Sequence, residues 1–211
     1  GRVEGMTRLR VGSVATLSRN YQQQWIRPLL ADPGVVLTLE SGLLEDLLDR
    51  LARHQLDVVL ANEPVATNPD RPVHCRFLGS QAISLVGPAG AWSGRSLRLP
   101  EDLDGLEVAL PGPRHALRAQ FDALCLAADV RPRLRAEVDD MAMLRLIARD
   151  SGWLTVLPEV VVQDELKLGT LVRLGGSDEL QEQFYAITVP RRHQLPVLEA
   201  LLGNAPGITP A

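Results

Sequence analysis

The class of fold is predicted most clearly by residues Leu39–Pro64, LESGLLEDLLDRLARHQLDVVLANEP. Its leucines at positions 44, 47, 48 and 51 recur at i, i+3, i+4 and i+7 with charged residues opposite, which predicts an amphipathic helix. The largely apolar run Leu56–Ala61 follows after a short polar break and predicts a strand that is buried on both faces. A helix that leads directly into a buried strand is typical of the parallel sheets of α/β proteins.

The residues before this stretch predict the same alternation of strand and helix. Leu9–Val11 and Val35–Leu39 are short apolar runs that predict strands. Tyr21–Ala31, which lies between them, predicts a helix that Pro28 kinks or restarts. With the helix at Leu43–Leu51, these elements form a βαβαβ unit, which is half of a doubly wound sheet.

A second α/β set follows a loop rich in proline and asparagine, Glu63–Val73. We therefore expect an α/β fold of two lobes, each a mixed sheet flanked by helices, with residues 1–82 and 188–211 in lobe I and residues 83–187 in lobe II. The predicted elements of the second set are strands at Ala82–Pro88, Leu106–Leu110, Arg133–Val138, Trp153–Leu157 and Phe184–Val189, helices at Ala116–Ala128, Met141–Arg149 and Pro196–Leu202, and a turn with a short strand at Leu166–Leu174.

Composition excludes several function classes. The 211 residues are 45% hydrophobic and carry a net charge of −4, so there is no general electrostatic reason for this chain to bind nucleic acid. No apolar run approaches the roughly 18 residues of a membrane span, and we expect no signal peptide. Cys75 and Cys125 lie far apart in apolar contexts, and we expect two buried, reduced thiols. The chain begins with Gly1 instead of Met, so we expect a piece of a longer protein.

The strand-to-helix loop within Val11–Tyr21 indicates a binding site. Ligand clefts in open α/β sheets lie at the carboxyl ends of strands, where this loop is expected. Two facing lobes would place it opposite the loop Leu110–Ala116, LPGPRHA, so we expect a cleft between the lobes. The candidate ligand-binding residues are Ser13, Val14, Ala15, Thr16, Ser41, Gly42, Asn62, Pro64, Gly112, Arg114, Asp139 and Met141.

The polar candidates also have ordinary structural alternatives. Thr16 or Ser18 either caps the following helix alone or caps it and also contacts the ligand. Arg114 stands at a helix start, where a cation is unfavourable against the helix dipole, and it either clamps an anionic ligand or is a solvated loop residue. Asp139 and Asp140 occupy an expected N-cap, and they either cap the helix or also line the cleft and attract cations.

No sequence pattern here predicts catalysis. A G-x-S-x-G turn that would present a serine nucleophile is absent, Gly12 alone does not make a phosphate loop, and the cysteine and histidine spacing of a metal site is missing. The four histidines are His54, His74, His115 and His193, of which the first and last lie in charged surface contexts. We therefore expect no enzyme activity, no catalytic residues, no metal and no cofactor.

Four motifs, in order along the chain, carry a resemblance to a known family. They are LRVGSVATLSRN, the stretch quoted first, LEVALPGPRHALRAQFD, and AEVDDMAMLRLIARDSGWLTVLPEVVV followed by LGTLVRL. From about Arg8 to Leu202 the chain resembles the effector-binding (regulatory) domain of LysR-type transcriptional regulators, and it is most similar to the activators of sodium/proton antiporter genes. The resemblance implies the type 2 periplasmic-binding-protein fold. It also implies that a small molecule or ion bound in the inter-lobe cleft modulates DNA binding and transcription.

The resemblance also implies partners and location. Full-length members carry an N-terminal winged helix-turn-helix and a long linker helix, so we expect DNA to be bound only through a domain outside this chain. The end of that linker is expected around Arg2–Met6. Members pair head-to-tail through the edges of their lobes, which implies a homodimer, and a tetramer at full length, in the bacterial cytoplasm without a membrane partner.

One position departs from the family pattern. Many members have Ser or Thr capping the second helix, with the hydroxyl facing the effector, but the matching residue here is Leu44. We expect Ser41, just upstream, to take over the capping and the contact. Three alternative functions stay open at this point: an enzyme on the same architecture, a solute-binding protein of a transport system, and a dimerisation module whose cleft is filled by its own side chains.

Overall fold

The structure, a computed structural model, describes residues 6–190 and 195–203. Its strands are β1 (Thr7–Val14), β2 (Val35–Gly42), β3 (Val58–Ala61), β4 (His74–Pro88), β5 (Glu107–Pro111), β6 (Arg133–Val138), β7 (Thr155–Pro158) and β8 (Leu171–Thr188). Its α-helices are α1 (Arg19–Ile26), α2 (Leu44–Ala52), α3 (Ala89–Trp92), α4 (Ala116–Ala127), α5 (Met141–Asp150), α6 (Gln163–Leu168) and α7 (Pro196–Gly203). Short 3-10 helices lie at Arg27–Leu29, Glu101–Leu103 and Glu159–Val161.

Parallel pairing surrounds β1. This strand pairs in parallel with β2 and with β3, so that Ser13 lies opposite Ser41 on one side and Leu60 on the other. β3 pairs antiparallel with β8, and β4 pairs antiparallel with β7, within the strand order β2-β1-β3-β8-β4-β7. β5 and β6 form a separate parallel pair. The six-stranded sheet is therefore mixed, and the helices follow the parallel strands as the βαβ pattern predicts.

The chain divides into two compact units. Unit 1 comprises the described residues up to Ser80 and from Gln183 onward, and unit 2 comprises Gln81–Glu182. β4 and β8 each have residues in both units, so the chain crosses from one unit to the other twice. The structure divides the chain after Ser80 and after Glu182, whereas the predicted division falls after residues 82 and 187. The assignment of residues to the two lobes stays a prediction.

The leucine pattern of α2 produces the core of unit 1. Leu47, Leu48 and Leu51 are buried, and α2 packs on β1 and β3. Every residue of β3 is buried, as predicted for a strand covered on both faces. Unit 2 has its own apolar cluster, which joins α4 to β4, β5 and β7 and includes Ile83, Leu110, Phe121 and Val156. Each unit thus buries an apolar face of its own helices against its own strands.

Most predicted elements are confirmed within a few residues of their expected ends. Pro28 restarts the chain in a 3-10 helix after α1, as predicted. The predicted turn within Leu166–Leu174 is confirmed at Gly169, which follows α6 at a φ of 70°, and a strand begins at Leu171. The strand is not short, however, because β8 runs unbroken to Thr188. Glycine is required inside β8, since a Cβ on Gly175 would clash with the carbonyl oxygen of Leu97.

Cys75 and Cys125 are both free thiols, but the expectation that both are buried is wrong for Cys75. Cys75 is half-buried near the start of β4, where its Sγ accepts from the Val65 N–H of the Pro-rich loop at 3.4 Å. The predicted linker end at Arg2–Met6, apart from Met6, and His193 lie outside the described residues.

Candidate functional site

The carboxyl ends of β1, β2 and β3 meet at one edge of unit 1. The parallel register places Val14 opposite Gly42, and the Ala15 N–H donates to the Gly42 carbonyl at 3.1 Å. β3 ends at Ala61, directly before Asn62, so all three strand ends contribute to this edge. The edge therefore gathers predicted residues from three separate stretches of the chain: Ser13, Val14, Ala15, Thr16, Ser41, Gly42, Asn62 and Pro64.

Two hydrogen bonds connect polar side chains across this edge. The Asn62 Nδ2 donates to Thr16 Oγ1 at 3.2 Å, which joins the loop after β3 to the loop after β1. The buried Ser13 hydroxyl donates to Gln22 Oε1 at 2.9 Å, and the Gln22 amide donates to the Leu17 carbonyl. Thr16 and Asn62 are half-buried, so their polar atoms lie at the surface of the unit. Among the predicted residues, the edge presents the hydroxyls of Thr16 and Ser41 and the amide of Asn62, without a charged group.

Helix starts at this edge differ from the expected caps. Ser18 caps α1, because its Oγ accepts from the Tyr21 N–H at 3.3 Å, whereas Thr16 is engaged by Asn62. The prediction that Ser41 caps α2 is wrong. Ser41 is held in β2 by its pairing with Ser13, so the strand continues to Gly42, and Leu43 becomes the N-cap without a side-chain hydrogen bond. Ser41 itself is exposed.

The carboxyl ends of β5 and β6 form the corresponding edge of unit 2. Pro111 lies opposite Val138, and the Gly112 N–H donates to the Val138 carbonyl at 3.1 Å. A Cβ on Gly112 would clash with the Asp139 carboxylate, so only glycine allows this side chain to lie against the loop. Arg114 Nη2 approaches Asp139 Oδ2 at 3.4 Å, with both side chains exposed. Gly112, Arg114 and Asp139 are thus brought together.

The two helices that begin at this edge are capped by different chemistry. Asp140 caps α5, since its Oδ1 accepts from the Ala142 and Met143 N–H groups at 2.7 and 3.2 Å. Met141 is buried at the start of α5. His115 caps α4, because Nδ1 accepts from the Leu117 N–H at 3.1 Å. The structure therefore uses Asp140 as a cap and leaves Asp139 on the surface.

His115 and Glu182 form a buried pair that the sequence analysis did not find. His115 Nε2 lies 3.7 Å from Glu182 Oε1, and both side chains are almost fully buried in unit 2. Sequence reasoning missed three residues that contact the predicted edges: Gln22, His115 and Arg118. The available signals were a histidine directly before a predicted helix and the i,i+4 spacing of Arg118 and Asp122.

Within 6–190 and 195–203, no group of three or more His, Cys, Asp or Glu side chains has an arrangement that would hold a metal ion. The helices in the same ranges are each too short or too polar to cross a membrane.

Comparisons with known proteins place the chain among regulators. The family model described as LysR substrate binding domain matches residues 4–205. The transcriptional activator protein NhaR of Escherichia coli K12 is 21% identical over 160 residues, which is 74% of this chain and 51% of NhaR. This chain therefore spans about half the length of that relative.

Solved structures show the fold. The reduced regulatory domain of OxyR2 from Vibrio vulnificus matches with a TM-score of 0.72 and 17% identity, covering 94% of this chain and 93% of that one. The Synechocystis PCC6803 CcmR regulatory domain in complex with 2-PG matches with a TM-score of 0.73 and 16% identity, covering 97% and 99%. The predicted two-lobed α/β fold is confirmed by these matches.

The family assignment follows from the extent of the match. A family model that spans residues 4–205 includes both units and both candidate edges. The family is one of transcriptional-regulator domains and is not known as enzymatic, and the comparisons give no support to the transport alternative. The chain belongs to the LysR substrate-binding domain family, and it is homologous to the effector-binding regulatory domains of LysR-type regulators.

Proposed function

We propose that the two strand-end edges hold the effector, a small polar molecule or ion, and that the chain acts as a sensor without catalysis. One observation carries this proposal. The predicted ligand residues all lie at or just beyond the carboxyl ends of parallel strands: β1, β2 and β3 in unit 1, and β5 and β6 in unit 2. These are the positions at which open α/β sheets bind ligands.

The chemistry of each edge supports a polar effector. Thr16 and Asn62 offer a hydroxyl and an amide that form a hydrogen bond with each other and lie half-buried. Arg114 and Asp139 offer one positive and one negative group, both exposed and held only by a long contact of 3.4 Å. Such a weak, exposed ion pair costs little to rearrange when a ligand arrives.

The sensing mechanism we propose is a population shift. An effector changes the arrangement of the protein only in so far as it binds one arrangement more tightly than another. The family assignment supports a readout through DNA, bound by a winged helix-turn-helix domain outside this chain, in the cytoplasm. It also supports a homodimer, and a tetramer for the full-length regulator.

Exposed apolar side chains on two edge strands support the proposed assembly of several copies of the chain. Leu39 lies on β2, an end strand of the six-stranded sheet, and is 53% exposed. Leu134 lies on β6 and is 42% exposed, beside a cavity of about 240 Å³ that Phe121 and Leu126 also line. An unpaired strand edge with apolar side chains is a surface that another chain covers readily. We propose that β2 and β6 provide the contacts between copies.

A thermal-shift panel of organic acids, amino acids, and sodium and lithium salts tests the effector site. A ligand present at about 100 times its Kd stabilises a fold by about 2.7 kcal/mol, which raises the Tm of a chain of this size by roughly 5–10 °C. The stabilising compound is then titrated against Thr16→Ala and Arg114→Ala. We expect each change to raise the Kd by about tenfold, the cost of one lost polar contact.

Two matched variants control the experiment. Thr16→Ser keeps the hydroxyl, and Arg131→Ala removes an arginine as exposed as Arg114 (85% against 78%) whose carboxylate contact is also 3.4 Å. Both controls are expected to leave the Kd within about twofold of the parent value. Binding that survives Thr16→Ala and Arg114→Ala unchanged would show that the ligand is held elsewhere.

A further inference from the structure

Arg118 is the charged residue of unit 2 with the most unusual surroundings. It lies in the first turn of α4, and its side chain is 14% exposed. Nε donates to both carboxylate oxygens of Asp122 at 3.0 Å, while Nη1 donates to the Pro111 carbonyl at 3.2 Å and to Glu137 Oε2 at 2.5 Å. One guanidinium therefore connects three separate elements: α4, β5 and β6.

Two of these contacts lie directly beside the proposed effector site. Pro111 is the last residue of β5 and is followed by Gly112, and Glu137 stands two residues before Asp139. The strand ends are also joined here by the pairing of β5 with β6 and by the bond from the Gly112 N–H to the Val138 carbonyl. Arg118 thus bridges the two segments that lead into the unit 2 edge.

A comparison within the chain separates this arrangement from a simple i,i+4 ion pair. Arg98 also pairs with a carboxylate at i+4, Asp102, but its side chain is 76% exposed and, among the described residues, its guanidinium donates to Asp102 alone. The i,i+4 contact with Asp122 would serve Arg118 equally well in solvent. A planar guanidinium with several fixed donors is suited to hold several acceptors at once.

The charge of Arg118 is secured at its position. Burial lowers the pKa of this guanidinium, but the hydrogen bonds that it donates to Glu137 and Asp122, together with the charges of these carboxylates, outweigh burial and raise the pKa above its ordinary value. Arg118 therefore keeps its positive charge despite its burial.

We infer that Arg118 is a positioning residue for effector binding: it holds the Gly112–Arg114 and Asp139–Met141 segments in one arrangement by bridging Pro111 and Glu137. The inference rests on the proposed effector site, because that site gives the two segments their role. Arg118 makes no contact with the ligand in this arrangement. Its effect is to fix the residues that do.

Amide hydrogen exchange of the ligand-free chain, followed by NMR, tests the bridge without any effector. The variants are Arg118→Gln, Glu137→Gln and, as a matched control, Asp122→Asn, which neutralises the carboxylate partner on α4 and leaves both strand contacts in place. We expect Arg118→Gln and Glu137→Gln to raise the exchange rate of the Gly112 amide by about tenfold or more, since its bond to Val138 loses its support. Asp122→Asn is expected to change it by less than about twofold, and the Leu60 amide in unit 1 serves as the internal reference.

The compound of the panel that most stabilises the parent chain is then titrated against the same variants. Arg118→Gln and Glu137→Gln are expected to raise its Kd about tenfold, with Asp122→Asn near the parent value. If no compound stabilises the parent chain, the proposed function fails while the exchange rates still decide on the bridge.

Three results would overturn the inference. They are an unchanged Gly112 exchange rate in a folded Arg118→Gln chain, an equal increase in Asp122→Asn, or looser segments with an unchanged Kd. Should Arg118→Gln not fold, Arg118→Lys keeps the charge with a single donor group, and it is expected to loosen Gly112 as Glu137→Gln does.

Discussion

Helix starts show how single residues are used in this protein. Ser18, His115 and Asp140 each accept a backbone N–H in the first turn of a helix. Serine, threonine and aspartate are common caps, so the sequence indicated Thr16 or Ser18 and Asp139 or Asp140, whereas an imidazole cap is rarely expected. Because Nδ1 of His115 accepts, the proton of the neutral ring lies on Nε2, the nitrogen that approaches Glu182.

Cys125 gives a prediction at the same scale. Burial, and to a smaller extent the negative charge of Asp122, raises the pKa of this thiol from 9.0 to about 11. Only the thiolate reacts with iodoacetamide. We expect the alkylation rate of Cys125 in the native chain to rise about tenfold per pH unit and to continue rising beyond about pH 9. Mass spectrometry of the Cys125 peptide measures this rate separately from that of Cys75.

The same pKa shift links pH to stability. The folded pKa lies above the unfolded value, so the contribution of the neutral thiol is fully present below pH 9.0 and is lost as the pH rises towards about 11.

The chain unfolded in urea is the control for the alkylation experiment. Its Cys125 alkylation rate is expected to level off near the ordinary thiol pKa. A native rate that levels off at the same pH as the unfolded rate would contradict the assignment.

At the scale of elements, α2 packs close against β1 at Gly12. A Cβ at this position would lie 2.7 Å from Leu56 Cδ1 and 3.0 Å from Leu47 Cδ2, and both leucines are buried. The close approach of helix to strand therefore depends on the missing side chain. Gly12 is a packing residue of this sheet and makes no phosphate loop.

Gly12→Ala is expected to destabilise the fold by about 1–3 kcal/mol, because the added methyl group overpacks a filled core. Urea unfolding measures the change as a lower midpoint at an unchanged slope. Gly152→Ala is the matched control, since its new Cβ meets no atom within 4 Å. Its stability is expected within about 0.5 kcal/mol of the parent value. Equal midpoints for the two variants would show that the α2–β1 contact adapts without cost.

At the scale of the whole molecule, the exposed strand edges predict an oligomer. We expect sedimentation velocity to show a dimer of the parent chain. Leu39→Lys and Leu134→Lys each place a charge on a proposed interface edge, and each is expected to weaken association by about tenfold or more, since burying an unpaired charge costs several kcal/mol.

Leu168→Lys is the control for this prediction. Leu168 is 78% exposed, but it lies on α6 and belongs to neither of the proposed edge strands, β2 and β6. Its association is expected to match that of the parent chain. A dimer that withstands both Leu39→Lys and Leu134→Lys would place the interface on another surface.

The kind and order of most elements, and the positions of the candidate edges, were predictable from the amino-acid sequence. Hydrophobic periodicity is a local property, so the leucines of α2 and the apolar run of β3 were sufficient to predict a helix and a buried strand. The rule that ligands bind at strand ends then located both edges. Local patterns predicted the start of β8 but not its length, and this strand contains a glycine that packs against the distant Leu97 carbonyl.

Which side chains contact each other is visible only in the tertiary structure. Thr16 and Asn62 are 46 positions apart, and Arg118 and Glu137 are 19 positions apart. Ser41 has the composition of a helix cap, yet its pairing in β2 excludes that role. Such partners depend on strand register and on how helices pack against strands. Both are set by the sum of many contacts between residues that are distant in sequence, and no local pattern contains that sum.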